Sequence, residues 1–274
     1  MHSAGEGAGT PILFVNAVGA NLAVWEKPLA RLALKRRWVN WDLRGLNDSP
    51  PPATDPVDPQ THAADAMAVL DHLGIETFAV LSWSNGSRIA FEIATGRPER
   101  VEAVVVVNGG YGQSVSGLVR NLEPFSALPL LAGVAKRFPM GIALGLRSLV
   151  TRPELPGLIR QSGLLGRSTD AGPVVETLRA MAECDTHRFL ATYEAVSGAP
   201  AASSLRAVTA PTLVIAGGRD RFSPRRMAQE IADVISSARL HVYDDATHYL
   251  PLEYCERLVA DLDTFLSEAE GSLR

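Results

Sequence analysis

Ser84 lies between an apolar run and a segment with helical spacing, in the stretch Val80-Leu81-Ser82-Trp83-Ser84-Asn85-Gly86-Ser87. Two small residues, Ser82 and Gly86, stand two positions to either side of it. A sharp strand-to-helix turn needs such neighbours, because its central residue adopts strained backbone angles and larger side chains would clash there. The spacing therefore indicates a serine hydroxyl presented as a nucleophile, although Ser82 departs from the strict Gly-x-Ser-x-Gly pattern. The simpler alternative is that Ser84 only caps the helix.

A base and an acid that could serve this serine follow two later apolar runs. A serine nucleophile needs a base, and the base needs an acid that orients it. Asp220 comes shortly after the run Thr212–Ala216, and His248 lies in a loop after the run Arg239–Tyr243. Both positions, like that of Ser84, lie beyond the carboxyl ends of predicted parallel strands, where open α/β sheets place their sites.

Two alternatives to this assignment stay open. Asp220 is flanked by two arginines and is also a typical turn residue, in which case Asp244 or Asp245 is the acid. Those two aspartates are close to His248 in sequence. His248 itself could be an ordinary histidine of a surface loop.

Apolar runs alternate with amphipathic segments along most of the chain. Strands are predicted at Pro11–Asn16, Arg37–Trp41, Phe78–Leu81, Ala103–Asn108, Thr212–Ala216 and Arg239–Tyr243. Residues 111–200 contain helical segments broken by proline and no strand pattern. This order predicts a mostly parallel α/β sheet with helices on both faces. It divides the chain into a core of residues 1–110 and 201–274 and a helical cap insertion of residues 111–200.

The serine, the acid and the histidine, in this order, resemble the α/β-hydrolase fold family. The loop Asn16-Ala17-Val18-Gly19, where many relatives have His-Gly at its first two positions, is similar to that of 3-oxoadipate enol-lactonase-like and small carboxylesterase-like members. The resemblance implies the following roles: Ser84 as nucleophile, His248 as general base and then acid, Asp220 as the orienting carboxylate, and the backbone N–H groups of Val18 and Asn85 as the oxyanion hole, with Ala17 as the other candidate donor.

The same resemblance makes the start of the chain unusual. Relatives place a two-stranded hairpin before the strand that we predict at Pro11–Asn16, and Gly5–Gly9 is similar to the linker that follows this hairpin. We therefore expect a sheet of about six strands that lacks the hairpin, with Arg37–Trp41 at or near an exposed edge. An apolar edge strand favours pairing with another chain, so a homodimer is possible.

Composition narrows the class of protein. The 274 residues include 26 Lys and Arg against 30 Asp and Glu, a net charge of −4, and 46% are hydrophobic. This balance, without a basic stripe, argues against nucleic acid or a membrane as the partner. Two cysteines, no targeting segment and no apolar stretch of membrane-spanning length indicate a soluble cytoplasmic protein. The sequence contains no phosphate-binding loop, dinucleotide fingerprint or His-Glu-x-x-His motif, so we expect no nucleotide or metal cofactor.

The expected activity is hydrolysis of a small carboxylic ester or lactone through an acyl-enzyme. Hydrolysis of a carbon–carbon bond in a diketone by the same triad is the alternative enzyme activity, and a receptor-like ligand-binding member with little turnover is the alternative outside catalysis. Apolar residues of the insertion predict a hydrophobic, partly closed acyl pocket. These residues are Phe125, Leu128, Leu130, Leu131, Phe138, Met140, Leu144, Leu146, Leu149 and Leu164.

Overall fold

The computed structural model describes residues 1–50, 57–110, 145, 147–198 and 205–272. Within these residues one six-stranded sheet has the order β2-β1-β3-β4-β5-β6. Every pair from β1 to β6 in this order is parallel, which confirms the predicted sheet. The strands are β1 (His2–Val15), β2 (Arg36–Asn40), β3 (Phe78–Trp83), β4 (Val101–Val107), β5 (Thr212–Gly217) and β6 (Ala238–Tyr243).

Helices cover both faces of the sheet. They are α1 (Glu26–Leu32), α2 (Pro59–His72), α3 (Ser87–Gly96), α4 (Leu155–Gln161), α5 (Gly172–Glu183), α6 (Thr186–Gly198), α7 (Arg225–Val234), α8 (Leu250–Glu253) and α9 (Cys255–Ser272). Along β4, Val105 and Val107 join the core layer that contains α1 and α9, whereas Val104 and Val106 join the layer that contains α2, α3 and α7. Because both faces are buried, the strand is apolar at successive positions instead of alternating.

The amino-terminal segment differs from the predicted linker, because β1 already begins at His2. Its pairing with β2 is antiparallel at this end, where Ser3 stands opposite Val39. Further along β1, Leu13 also stands opposite Val39. A strand residue has one neighbour on each side, so β1 passes around the start of β2 and contributes a segment to each of its sides. The turn between the two segments contains Gly5–Gly9.

This path changes the expectation for the sheet edge. The count of six strands is confirmed, and β2 lies at one end of the strand order. The expected exposed edge is wrong, however, because residues 2–4 pair with residues 38–40 on the outer side of β2. The turn fits tightly against the chain that enters β2: a Cβ on Gly7 would lie 1.9 Å from the carbonyl oxygen of Lys35.

The interval between β4 and β5 contains α4, α5 and α6 and, among its described residues, no strand. Most of the apolar residues from which we predicted the pocket (those numbered 125–144, and Leu146) lie outside the described residues. Leu149 is exposed and Leu164 is half-buried. None of the described helices is both long and apolar enough to cross a membrane.

Candidate active site

Ser84 sits in the turn that joins β3 to α3. The strand ends at Trp83, a single 3-10 turn spans Ser84–Gly86, and α3 follows directly. Ser84 has φ of +56°, in the left-handed region that L-residues rarely adopt. Such strain persists only where the surrounding structure enforces it, and it occurs at functional sites.

Tight packing explains the small residues on either side of the serine. A Cβ on Gly86 would lie 2.5 Å from the carbonyl oxygen of Asn16 and 2.6 Å from that of Val15, so only glycine fits against the end of β1. At the other position the structure accommodates a hydroxyl. Ser82 is completely buried in β3 and donates a hydrogen bond to the carbonyl oxygen of Val105 at 3.1 Å.

Asp220 and His248 are in direct contact. The Nδ1 atom of His248 lies 2.7 Å from Oδ2 of Asp220, whose side chain is fully buried. The other carboxylate oxygen, Oδ1, accepts hydrogen bonds from the backbone N–H groups of Phe222 at 2.8 Å and Ser223 at 2.9 Å. A carboxylate held in this way favours the histidine tautomer that carries its proton on Nδ1, which leaves Nε2 free to accept one.

The two rival acids lie elsewhere. Asp245 forms an ion pair with Arg219 at 2.5 Å, and its side chain is 67% exposed. Asp244 is also exposed. Asp220 is therefore the aspartate that contacts His248 among the three that the sequence left open.

Ser84 and His248 line the same cavity, which has a volume of about 330 Å³. Among the hydrogen bonds of the described residues, none joins the side chains of Ser84 and His248. Contacts of this kind are often long without substrate and shorten only in the reacting complex. Rings of Trp83 and Phe222 pack beside the imidazole of His248, with centroid distances of 5.3 and 5.0 Å.

The two candidate donors in the loop after β1 differ in their partners. The N–H group of Ala17 donates to the side chain of its neighbour Asn16, at 2.9 Å from Oδ1. The N–H group of Val18 instead donates to Oδ1 of Asn85 at 3.0 Å, beside Ser84 and at the cavity wall. Val18 thus already binds an oxygen atom at the place where an oxyanion would need a donor. The Asn85 side chain also contacts Ser197 of α6, at 3.5 Å between Nδ2 and Oγ.

Asn108 is a residue of the site that the sequence analysis missed. It follows β4, is 1% exposed and has φ of +48°. Its Nδ2 donates to the carbonyl oxygens of Thr247 at 2.9 Å and His248 at 3.0 Å, and its Oδ1 accepts from the N–H group of Gly217 at 2.7 Å. Asn108 therefore ties the histidine loop to the end of β5. The available signal was a polar residue directly after an unbroken apolar run.

The part of the cavity wall that α5 and α6 contribute is mostly apolar. Its apolar side chains are Leu178, Met181, Phe189, Leu190, Tyr193 and Val196. Neither Leu149 nor Leu164, the described residues of the predicted set, is among the residues that line it. Burial raises the pKa of Tyr193 and of Tyr249, so both phenols stay protonated at neutral pH. Among the described residues, no group of three His, Cys, Asp or Glu side chains is arranged to hold a metal ion.

Comparison with known proteins identifies the fold. The model of the α/β-hydrolase fold matches residues 10–253 of the chain. The chain belongs to the α/β-hydrolase fold family. The predicted family is thereby confirmed, and with it the prediction that the protein is an α/β-hydrolase enzyme.

The proteins that it resembles include hydrolases with different names. The chain is 28% identical over 270 residues to a 2-hydroxymuconate semialdehyde hydrolase of Pseudomonas sp. strain CF600, covering 97% of this chain and 90% of that protein. It is 25% identical over 243 residues to 3-oxoadipate enol-lactonase 2 of Acinetobacter baylyi, covering 88% and 83%. A solved structure of an N-acyl homoserine lactone degrading enzyme matches with a TM-score of 0.74 at 26% identity, covering 96% and 95%.

Proposed function

We propose that this protein is a serine hydrolase that cleaves a small carboxylic ester or lactone through an acyl-enzyme. The observation that carries the proposal is the buried Asp220–His248 hydrogen bond, at 2.7 Å, beside a cavity that also contains the strained Ser84. Acyl transfer by a serine requires a nucleophile, a base and an orienting acid, and the proposal assigns these roles to Ser84, His248 and Asp220.

Each group has a definite step in this mechanism. The Ser84 Oγ attacks the scissile carbonyl carbon while Nε2 of His248 takes up the hydroxyl proton. The carbonyl oxygen becomes an oxyanion between the N–H groups of Val18 and Asn85. The intermediate collapses, the carbon–oxygen bond to the leaving group breaks, and His248 returns the proton to the departing alkoxide. Water then attacks the acyl-enzyme by the same route and releases the acid.

Substrate has to displace one internal contact before this can happen. Because Oδ1 of Asn85 accepts the hydrogen bond of the Val18 N–H group, the carbonyl oxygen must replace that amide oxygen. Asn85 is connected to Ser197 on α6, so its movement is linked to the helices above the cavity. We propose that α5 and α6 belong to a cap that closes over the substrate, consistent with the domain boundaries expected from the sequence.

Carbon–carbon bond hydrolysis of a diketone is the second candidate. It is favoured by the similarity to 2-hydroxymuconate semialdehyde hydrolases, since a compound of that name contains no ester or lactone bond. The same serine and histidine would act on a ketone carbonyl. A panel of aryl esters, lactones and vinylogous diketones separates the two candidates by relative kcat/KM, and a receptor-like protein would bind these compounds without turning them over.

Replacement of Ser84 tests the proposed mechanism. We expect Ser84→Ala to lower kcat by about 10⁴- to 10⁶-fold, because nucleophile and base act as a unit. A fluorophosphonate probe should label Ser84 in the wild-type protein and leave the variant unlabelled.

Ser82→Ala is the matched control, since Ser82 is two residues away but hydrogen-bonded inside the sheet. It should keep both turnover and labelling. Labelling at another serine, or full activity in Ser84→Ala, would overturn the assignment.

A further inference from the structure

Arg88 is a buried cation in the wall of the same cavity. Its residue exposure is 4%, and it lines the cavity together with Ser84 and His248. It lies four residues after the serine, in the first turn of α3. A buried arginine is costly unless its charge and its five N–H groups have partners. The partners of the guanidinium therefore indicate whether Arg88 has a structural role or binds a ligand.

Only part of the guanidinium has a partner within the protein. Its Nη1 atom contacts Oε1 of Glu92, one further turn along α3, in an ion pair whose side chains are 5% and 13% exposed. The buried Nε and Nη1 atoms, and Oε1 of Glu92, have no partner of hydrogen-bond geometry among the described residues, so Glu92 opposes the charge of Arg88 without satisfying its N–H groups. A guanidinium binds a carboxylate through parallel N–H···O hydrogen bonds. The terminal Nη2 atom of Arg88 has no acceptor from the described part of the chain.

The surroundings of Arg88 would strengthen such a contact. Leu190, Tyr193 and Val196, which are apolar or largely apolar, line the same cavity, and hydrogen bonds to charged groups are stronger where water is excluded. The amino-terminal turn of α3, which begins at Ser87, adds a positive potential at this end of the cavity. The ion pair with Glu92 lowers the net charge but provides no acceptor for Nη2.

We propose that Arg88 determines substrate specificity by binding a carboxylate in the acyl part of the substrate. This inference rests on the proposed function, since it concerns the acyl side of the same cavity. Ser84 and Arg88 line one cavity. Acyl groups derived from short dicarboxylic acids carry a carboxylate on the far side of the scissile carbonyl and are therefore the substrates that the proposal names.

Two substrates that differ in one charge test the proposal, because the ratio of their kcat/KM values is measured within the same protein. We expect kcat/KM for 4-nitrophenyl hydrogen glutarate to exceed that for the neutral 4-nitrophenyl pentanoate by roughly 10- to 100-fold, the effect of a hydrogen-bonded charge pair. In the Arg88→Met/Glu92→Gln variant, which removes both charges and leaves no unpaired buried ion, the ratio should fall to about one. A general loss of activity cancels in this ratio.

Glu92→Gln alone separates a binding role from a structural one. If Arg88 serves substrate, removing its internal competitor should raise the ratio above that of the wild type. If Arg88 only pairs with Glu92, this variant should lose stability and leave the ratio unchanged, which would overturn the proposal. A wild-type ratio near one, or a preference that survives in the double variant, would also overturn it.

A binding measurement keeps the inference independent of turnover. In the Ser84→Ala protein, calorimetry should show that monomethyl glutarate binds roughly 10-fold or more tightly than dimethyl glutarate, which has no charge. The additional Arg88→Met/Glu92→Gln substitutions should abolish this difference. Equal binding of the two compounds would refute the role of Arg88 even if esterase activity is present, whereas absent fluorophosphonate labelling would refute only the proposed function.

Discussion

The two carboxylate oxygens of Asp220 have different roles. One oxygen contacts His248, and the other is held by two backbone N–H groups of its own turn. The turn therefore fixes the carboxylate, and the carboxylate fixes the imidazole. An asparagine at this position would keep its carbonyl oxygen on the two backbone N–H groups and turn its NH2 group towards Nδ1 of His248. This arrangement favours the wrong histidine tautomer.

Asp220→Asn should therefore lower kcat by about 10⁴-fold while leaving the fold intact. The measurement is steady-state turnover of a neutral aryl ester together with the circular dichroism spectrum. Asp245→Asn is the matched control, because Asp245 is exposed and paired with Arg219, and it should retain activity. If Asp220→Asn stayed fully active and Asp245→Asn did not, the acid would be Asp245.

The turn between β3 and α3 depends on close packing against the end of β1. The backbone carbonyl groups of Val15 and Asn16 occupy the space that a side chain at Gly86 would need. Backbone atoms cannot move aside as a flexible side chain can. The position of the serine and the position of the loop that contains Val18 are therefore set by one contact between two elements.

Gly86→Ala should disturb both parts of this contact. We expect a loss of about 1–3 kcal/mol in the free energy of unfolding, typical of overpacking, and a large loss of turnover. Urea denaturation and kcat/KM measure the two effects. Gly96→Ala in the same helix is the control, since a Cβ there meets nothing within 4 Å, and it should be neutral or slightly stabilising. Wild-type behaviour of Gly86→Ala would show that the turn is looser than described.

Helix α2 contains a buried histidine that makes stability depend on pH. His62 is 0% exposed, and neither of its ring nitrogens has a partner of good hydrogen-bond geometry among the described residues. Burial, together with the nearby Arg44, lowers the pKa of His62 from 6.5 to about 4, against the opposing effect of Asp65. Between these two values the unfolded chain binds a proton that the folded protein excludes. Folding stability therefore falls as the pH decreases from above 6.5 towards 4.

At pH 5 this single group should cost about 2 kcal/mol of the free energy of unfolding relative to pH 7.5. Removing the titrating ring in His62→Leu should reduce the pH dependence by that amount, measured by urea denaturation at both pH values. His72→Leu, at the exposed end of the same helix, should leave it unchanged. An identical loss in the wild type and His62→Leu would contradict the assignment.

For the whole molecule, the path of β1 decides how the sheet ends. Residues 2–4 cover the outer side of β2, so the strand that contains Trp38 and Val39 has neighbours on both sides. Open strand edges promote pairing with other chains. The covering segment therefore opposes the association that the sequence suggested.

Deleting residues 2–4 should expose this edge. We expect the truncated protein to associate or aggregate more readily than the intact chain and to unfold at a lower temperature. Light scattering coupled to size-exclusion chromatography and a thermal melt measure the two effects. A truncated protein with the same mass in solution and the same melting temperature would show that the segment contributes nothing at this edge.

The sequence by itself determined the features that depend on local spacing. The small residues around Ser84, the turn residues before Asp220 and the loop position of His248 are encoded within a few residues, and their order along the chain indicated the family. The apolar run Ala103–Asn108 likewise predicted a buried parallel strand, because a strand covered on both faces needs apolar side chains at successive positions.

Only the tertiary structure decided the features that join distant parts of the chain. The contact between Val18 and Asn85 spans 67 residues, and those between Asn108 and the histidine loop span 139 and 140. The cavity wall from α5 and α6 and the path of β1 around β2 likewise join parts that are distant along the chain. No local pattern encodes such contacts, because they depend on how the sheet brings separate loops to one edge. The incompletely satisfied guanidinium of Arg88 could be recognised only once its neighbours in space were known.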